Sequence, residues 1–366
     1  MSPHGCRLVR DGSGVDARWR RDGDTLVVSP ASGLALAIAL GEVAGISGDG
    51  FTISLRAPVG AITLERLGAD GPTLLQELRR DWPVLRSRLL RLNGGDAPGK
   101  VFSGTVASKE YRGAFRGFLS GNRLILAPEG EDIKVLFIAD CNMISFTEQA
   151  YAVNCIGWEN EETVFSKLGS ETAAFTAALQ TAREKLAQEA DTTLARHLPT
   201  LAPAARAELG TQWLPGRLLS FADMERMAPG FEAAFLSSWL ASCPRSDEGK
   251  KLMEGIAPSG RYLGFASTDE GEEPMLWLLV RSANEWSLEL LSHGDYATYL
   301  FAGGDELPRL ISGIIRLHEF SREALYLPME ELIGERAKYA IPARDLLLLG
   351  DLRARFTKRR IHASRQ

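Results

Sequence analysis

Between residues 15 and 65 apolar and polar positions alternate in short runs. Ala17-Arg18-Trp19-Arg20, Leu26-Val27-Val28-Ser29, Leu34 to Leu40, Phe51 to Leu55 and Ile62-Thr63-Leu64 each fit a strand. In the fourth run Phe51, Ile53 and Leu55 fall on one side and Thr52 and Ser54 on the other, the period of a half-buried antiparallel strand. Asp22-Gly23-Asp24, Ser32-Gly33 and Gly48-Asp49-Gly50 supply turns between the runs. After Leu67-Gly68 the period changes. Leu75, Leu78, Trp82, Leu85, Leu89 and Leu92 recur at spacings of three and four, which predicts a helix with one apolar face. Pro83, inside that stretch, predicts a kink or a division.

Residues 101–195 follow the same plan. Candidate strands are Val101 to Val106, Tyr111 to Leu119, Arg123 to Ala127, Ile133 to Ile138, Met143 to Phe146, Ala150 to Cys155 and Thr163 to Ser166. Leu168-Gly169 then opens a helix with Phe175, Leu179, Ala182 and Leu186 on one face. The junction from Ile62 to Gly68, with Leu74 and Leu78 after it, parallels the junction from Thr163 to Gly169, with Phe175 and Leu179 after it. A strand, a Leu-Gly turn and one amphipathic helix, twice in register, point to a duplication.

Six or seven short antiparallel strands closed by one helix resemble a pleckstrin-homology-like (PH-like) domain. The resemblance rests on element order and on the two Leu-Gly junctions, and covers about the first half of the chain. It implies two small barrel-like sandwiches, each with its helix over an open corner. The expected class is therefore α+β, β-dominated, with tandem PH-like units and a mixed α+β C-terminal region.

The expected domains are 1–97 and 98–195 as the two PH-like units, 196–215 as a helical connector, and 216–366 as the C-terminal domain. The connector is read from the Ala-, Leu- and Pro-rich run from Asp191 to Gly210, with a break at Pro199 and a new helix near Pro203. Farther on, helical stretches around Phe231 to Leu240 and Glu248 to Ile256 precede strands at Tyr262 to Ala266, Met275 to Arg281, Trp286 to Ser292 and Tyr296 to Ala302. Gly303-Gly304-Asp305 then opens a helix through Leu307, Leu310, Ile311 and Ile314, so a diverged third copy with a helical insertion is expected. A last helix is expected from Pro342 to about Phe356.

Composition changes this picture little. Hydrophobic residues make up 45% and charged residues 24% of 366, as in ordinary globular chains. A formal charge of −5 gives no global case for nucleic acid or anionic lipid. Cys6, Cys141, Cys155 and Cys243 show no CxxC and no histidine at ligand spacing, which argues against structural zinc and fits a reducing compartment. With no apolar leader run and no apolar stretch of roughly 20 residues, the expected location is cytoplasmic. No metal and no cofactor is expected.

Candidate chemistry is sparse. His4, His197, His293, His318 and His362 form no HExxH or HxH pattern, and Glu161-Glu162, Glu272-Glu273 and Glu330-Glu331 read as polar turns or helix faces. No GxSxG, GxxxxGK[ST] or GxGxxG occurs. Trp239, Trp277, Trp286, Tyr296, Tyr299 and Phe301 crowd the third region and read mainly as core. Pleckstrin-homology domains that bind phosphoinositides use basic residues near the first hairpin. Arg18, Arg20 and Arg21, and then Lys109, Arg112 and Arg116, match that pattern loosely, among acids.

One segment is strongly polarised. Arg353, Arg355, Lys358, Arg359, Arg360 and Arg365 follow Asp351 with no further acid. Two cations would complement a helix dipole, and six exceed that need. Arg353, Arg355, Lys358, Arg359 and Arg360 are thus candidate contacts for an acidic protein partner, ahead of nucleic acid. The expected function is a non-catalytic adaptor or assembly subunit. Two other readings stay open: a peripheral membrane or anionic-ligand sensor, and a hydrolase-type enzyme with a site within 216–366 built on His293 or His318.

Overall fold

The computed structural model describes residues 4–92, 99–157, 161–266, 274–283, 285–292, 297–317 and 323–361. The protein is a mixed α+β chain with three antiparallel sheets, and it forms two compact units, Met1–Gln180 and Thr181–Gln366. About 40% of the described residues are helical and 35% are in strands, so the expected β dominance does not extend to the whole chain. The second unit adds most of its helices as separate short segments.

In the first unit β1 (His4–Arg10), β2 (Ser13–Asp22), β3 (Thr25–Pro30), β4 (Leu36–Ala39), β5 (Ile46–Gly48), β6 (Thr52–Ala57) and β7 (Gly60–Glu65) form a curled sheet in the order β4-β3-β2-β1-β7-β6-β5. The first and last strands therefore pair, Arg7 facing Glu65 and Leu8 facing Leu64. Alternation decides what is buried: Ile53, Leu55, Ile62 and Leu64 point inward, Thr52 and Ser54 less so. Two positions depart from the expected runs. Phe51 precedes β6 and is 66% exposed, and Leu34 precedes β4 and is 90% exposed. The turn chemistry at Asp49 outweighs period there, because its Oδ1 accepts from the backbone N–H of Phe51 and Thr52 at 3.0 and 2.9 Å.

Helix α1 (Gly71–Leu89) runs through Pro83 undivided. Proline removes one ladder bond at a cost of about 3 kcal/mol. Burial of Leu74, Leu75, Leu78 and Trp82 on the same helix opposes that cost, and the Trp82 indole N–H donates to Val43 O at 2.7 Å.

The second sheet repeats the first. β8 (Val101–Ala107), β9 (Arg112–Ser120), β10 (Arg123–Pro128), β11 (Lys134–Phe137), β12 (Met143–Thr147), β13 (Ala152–Ile156) and β14 (Glu162–Ser166) are ordered β11-β10-β9-β8-β14-β13-β12. Each sheet carries a 3-10 turn after its fourth strand, Leu40–Glu42 and Ile138–Asp140. Arg66 and Lys167 both take φ 57°, and the glycines two residues on, Gly68 and Gly169, take φ 62° and 58°. The Leu67 and Leu168 side chains between them are buried. Helix α2 (Thr172–His197) then packs Phe175 against Phe102, Phe115 and Phe165 of its own sheet.

In the second unit β15 (Leu219–Ser220), β16 (Arg261–Ala266), β17 (Met275–Ser282), β18 (Glu285–Leu290), β19 (Ala297–Ala302) and β20 (Phe356–Ile361) pair in chain order. That order is a meander, unlike the sheets of the first unit, so the expected third copy is corrected. Its first and last strands stand at opposite edges instead of pairing. The core gathers Trp213, Phe221, Phe231, Phe235, Trp239 and Phe265, through a π-helical turn at Phe235–Trp239. The segment read as a connector buries Leu198, Leu201, Leu209 and Trp213, and so belongs to that core. The last expected helix is two, Ala340–Asp345 and Leu347–Arg355, separated at Leu346, whose backbone is extended.

Candidate functional site

The basic C-terminal segment is an edge strand. Phe356 packs against Phe301 and Tyr326, which fixes the start of β20, and the ladder then faces Lys358 to Leu300, Arg359 to Tyr299 and Arg360 to Thr298. Five candidate contacts divide into two groups. Arg353 is turned inward, donating to Ala324 O at 2.5 Å and Leu327 O at 2.6 Å, and burial lowers its pKa. Arg355 pairs with Glu306 at 2.7 Å. Arg359 lies over the rings of Tyr299 and Tyr326 and donates to the Tyr326 hydroxyl at 3.0 Å. Lys358 and Arg360 are exposed and make no ion pair among the described residues, and Ile361 beside them is 73% exposed. Arg365 lies outside the described residues.

Within the first unit the two sheets meet at a seam centred on α1. Its Arg86, fully buried, forms a two-pronged pair with Asp132, 2.9 and 2.5 Å, and Arg79 pairs with Glu129. Gly130 N–H donates to Ile46 O at 3.0 Å, and Arg123 donates to Leu92 O at 2.5 Å. A groove of about 270 Å³ opens at the seam, with Ile46, Trp82 and Phe115 as its floor and Arg79, Arg116 and Glu129 around it. Arg79 is already held by Glu129 and by Gly48 O, whereas Arg116, half-buried, makes no side-chain hydrogen bond or ion pair among the described residues. The two arginines seven apart on α1 are visible in the sequence. Their acids, three apart in the β10–β11 turn, become partners only when the sheets dock.

The hairpin arginines are tied to acids. Arg21 pairs with Asp81 at 2.5 Å and with Glu77 at 3.6 Å, Arg20 with Asp22 at 3.8 Å, and Lys109 with Glu161 at 3.5 Å. Arg18 and Arg112 are exposed.

His293 and His318 lie outside the described residues. His197 stacks on Trp239 at 4.7 Å in the core of the second unit. There Glu289, fully buried, faces Arg245 at 3.5 Å and accepts from the Thr298 hydroxyl at 2.9 Å. A carboxylate matched this way locks β18 to β19 and to the loop carrying Arg245. Trp239, Trp277, Trp286, Tyr299 and Phe301 are all buried, and Tyr296 lies outside the described residues. Cys141, just after the 3-10 turn Ile138–Asp140, lies beside Cys155 of β13. A hydrogen bond between the thiols, with burial, pushes the Cys155 pKa up.

Among the described residues no three His, Cys, Asp or Glu side chains converge to hold a metal ion, and no helix is long and apolar enough to cross a membrane. No protein-family model matches the chain, and no curated protein matches it in sequence.

Proposed function

We propose that the protein is a non-catalytic interaction or assembly subunit built on tandem PH-like units, acting in the cytoplasm. The observation that carries this reading is the same seven-strand order, with the same turn and closing helix, built twice and docked through α1. Folds of this type commonly serve as interaction modules, and that step is analogy of fold. Buried free thiols agree with a reducing compartment. The contact surface is the outer edge of β20, where Lys358 and Arg360 offer positive charge to an acidic protein. A test keeps the ladder and changes only the charge: Lys358→Glu with Arg360→Glu. Pull-down from the native host, read by mass spectrometry at low and high salt, should lose its salt-sensitive partners with this variant. Identical capture by both proteins would exclude β20 as the contact.

A second reading, an anionic-ligand sensor, is favoured by Arg116 at the seam groove. Inorganic phosphate titrated into the protein should then shift the backbone resonances of β9, and Arg116→Gln should abolish the shift. Phosphate shifts that survive Arg116→Gln would remove it.

A further inference from the structure

The two seven-stranded sheets end on equivalent strands, β5 and β12, and the protein treats those edges differently. β5 has three residues, and its outer carbonyls are occupied: Ile46 O accepts from Gly130 N–H and Gly48 O from Arg79, each at 3.0 Å. β12 stands at the same place in the second sheet. It has five residues, Met143-Ile144-Ser145-Phe146-Thr147, with no charge, proline or glycine. Among the described residues it pairs only with β13, and no backbone hydrogen bond reaches its other side. Met143 is 48% and Phe146 39% exposed, and Phe146 stands edge-on to Tyr151, which is 55% exposed. Proteins ordinarily blunt such an edge with lysine, proline, a bulge or a cover, as β5 is covered here.

We infer that β12 is a docking edge for the β12 of a second copy of this chain, the two strands running antiparallel about Ser145. The occupant follows from the strand's own sequence. An antiparallel pair centred on Ser145 sets Ile144 opposite Phe146 of the second copy, twice by symmetry, an aromatic against a β-branched side chain. Met143 then faces Thr147 of the second copy, and Asn142 faces its Glu148, so no like charges meet. On β5 the edge is closed by one backbone donor, Gly130 N–H, and one side-chain donor, the Arg79 guanidinium; on β12 the backbone N–H groups of the second copy's strand would supply the donors. A two-fold axis makes the contact self-limiting, because the pairing uses up both edges. This inference does not depend on what β20 binds.

The test is the mass of the full chain in solution across about 1 to 100 µM by size exclusion with light scattering. The expected result is a concentration-dependent species of twice 40.0 kDa. Ser145→Lys, which sets two cations face to face, should raise the dissociation constant at least tenfold with the circular dichroism spectrum unchanged. Should that variant misfold, Ser145→Cys gives a second reading. Directly opposed residues of an antiparallel pair have Cα atoms about 4.5–5.5 Å apart, within disulfide reach. Oxidised glutathione should then link the variant into a covalent dimer on non-reducing gels, and should leave the wild type unlinked. A wild type that stays monomeric throughout, a dimer indifferent to Ser145→Lys, or no cross-link through Ser145→Cys in a folded protein would overturn the inference.

Discussion

Leu78 and Leu179 occupy matching places in α1 and α2, and both are fully buried. Replacing either by alanine should cost about 2–5 kcal/mol, the range for emptying a packed leucine site. Urea unfolding checks this, and losses below about half a kcal/mol at both sites would mean that neither helix face is core. Asp81 gives the pH dependence. Its hydrogen bond from Arg80, with the charge of Arg21 beside it, outweighs desolvation and holds its pKa below the usual carboxylate value. A depressed folded pKa contributes stability above the unfolded value of about 3.9, and that contribution is lost as pH falls through the folded pKa. Asp81→Asn should therefore be less stable than wild type at pH 7, by about 1 kcal/mol for a half-buried network whose Arg80 is exposed. The gap should close as unfolding is repeated toward pH 3.

At the scale of elements, α1 serves two masters. Its apolar residues cover the first sheet, while Arg79 and Arg86 hold the β10–β11 turn of the second. Arg86 is inaccessible to water, so removing its acid leaves a buried cation with less compensation. Asp132→Ala should cost about 1.5–3 kcal/mol, the worth of hydrogen bonds to a charged group. Arg86→Met should cost less than the sum of such losses, because it removes the charge along with its need. A double-mutant cycle in urea measures the coupling, and an additive result would show that the pair does not join the sheets. Elsewhere the same physics shapes β20, whose cations guard an edge as well as offer charge.

For the whole molecule, the placement of β20 changes which experiment is informative. Deleting residues 357–366 removes most of an edge strand along with its charges, so binding and stability would fall together. That deletion should lower the melting temperature by roughly 4–8 °C if the missing ladder is worth about 2 kcal/mol at this size. The Lys358→Glu, Arg360→Glu variant should melt within a degree or two of wild type, since both side chains are exposed and bear no ion pair that holds the fold. Scanning calorimetry separates the two cases. Similar losses would mean that the charges themselves stabilise the sheet.

What the chain states locally, it states early. Alternation in β6, the turn at Asp49, the leucine stripe of α1 and the two Leu-Gly junctions are all legible, because each depends on neighbours within about a helical turn. The duplication is legible for the same reason, as one local pattern written twice. The break at Leu346, the undivided helix through Pro83 and the exposure of Phe51 and Leu34 were decided by competition between local preference and packing. The pairs Arg86–Asp132 and Cys141–Cys155, the open edge of β12 and the strand made of basic residues at β20 belong to tertiary structure alone. In each, a side chain or strand edge acquires its meaning from a surface brought to it from another part of the chain. Local period carries no record of which surface that will be.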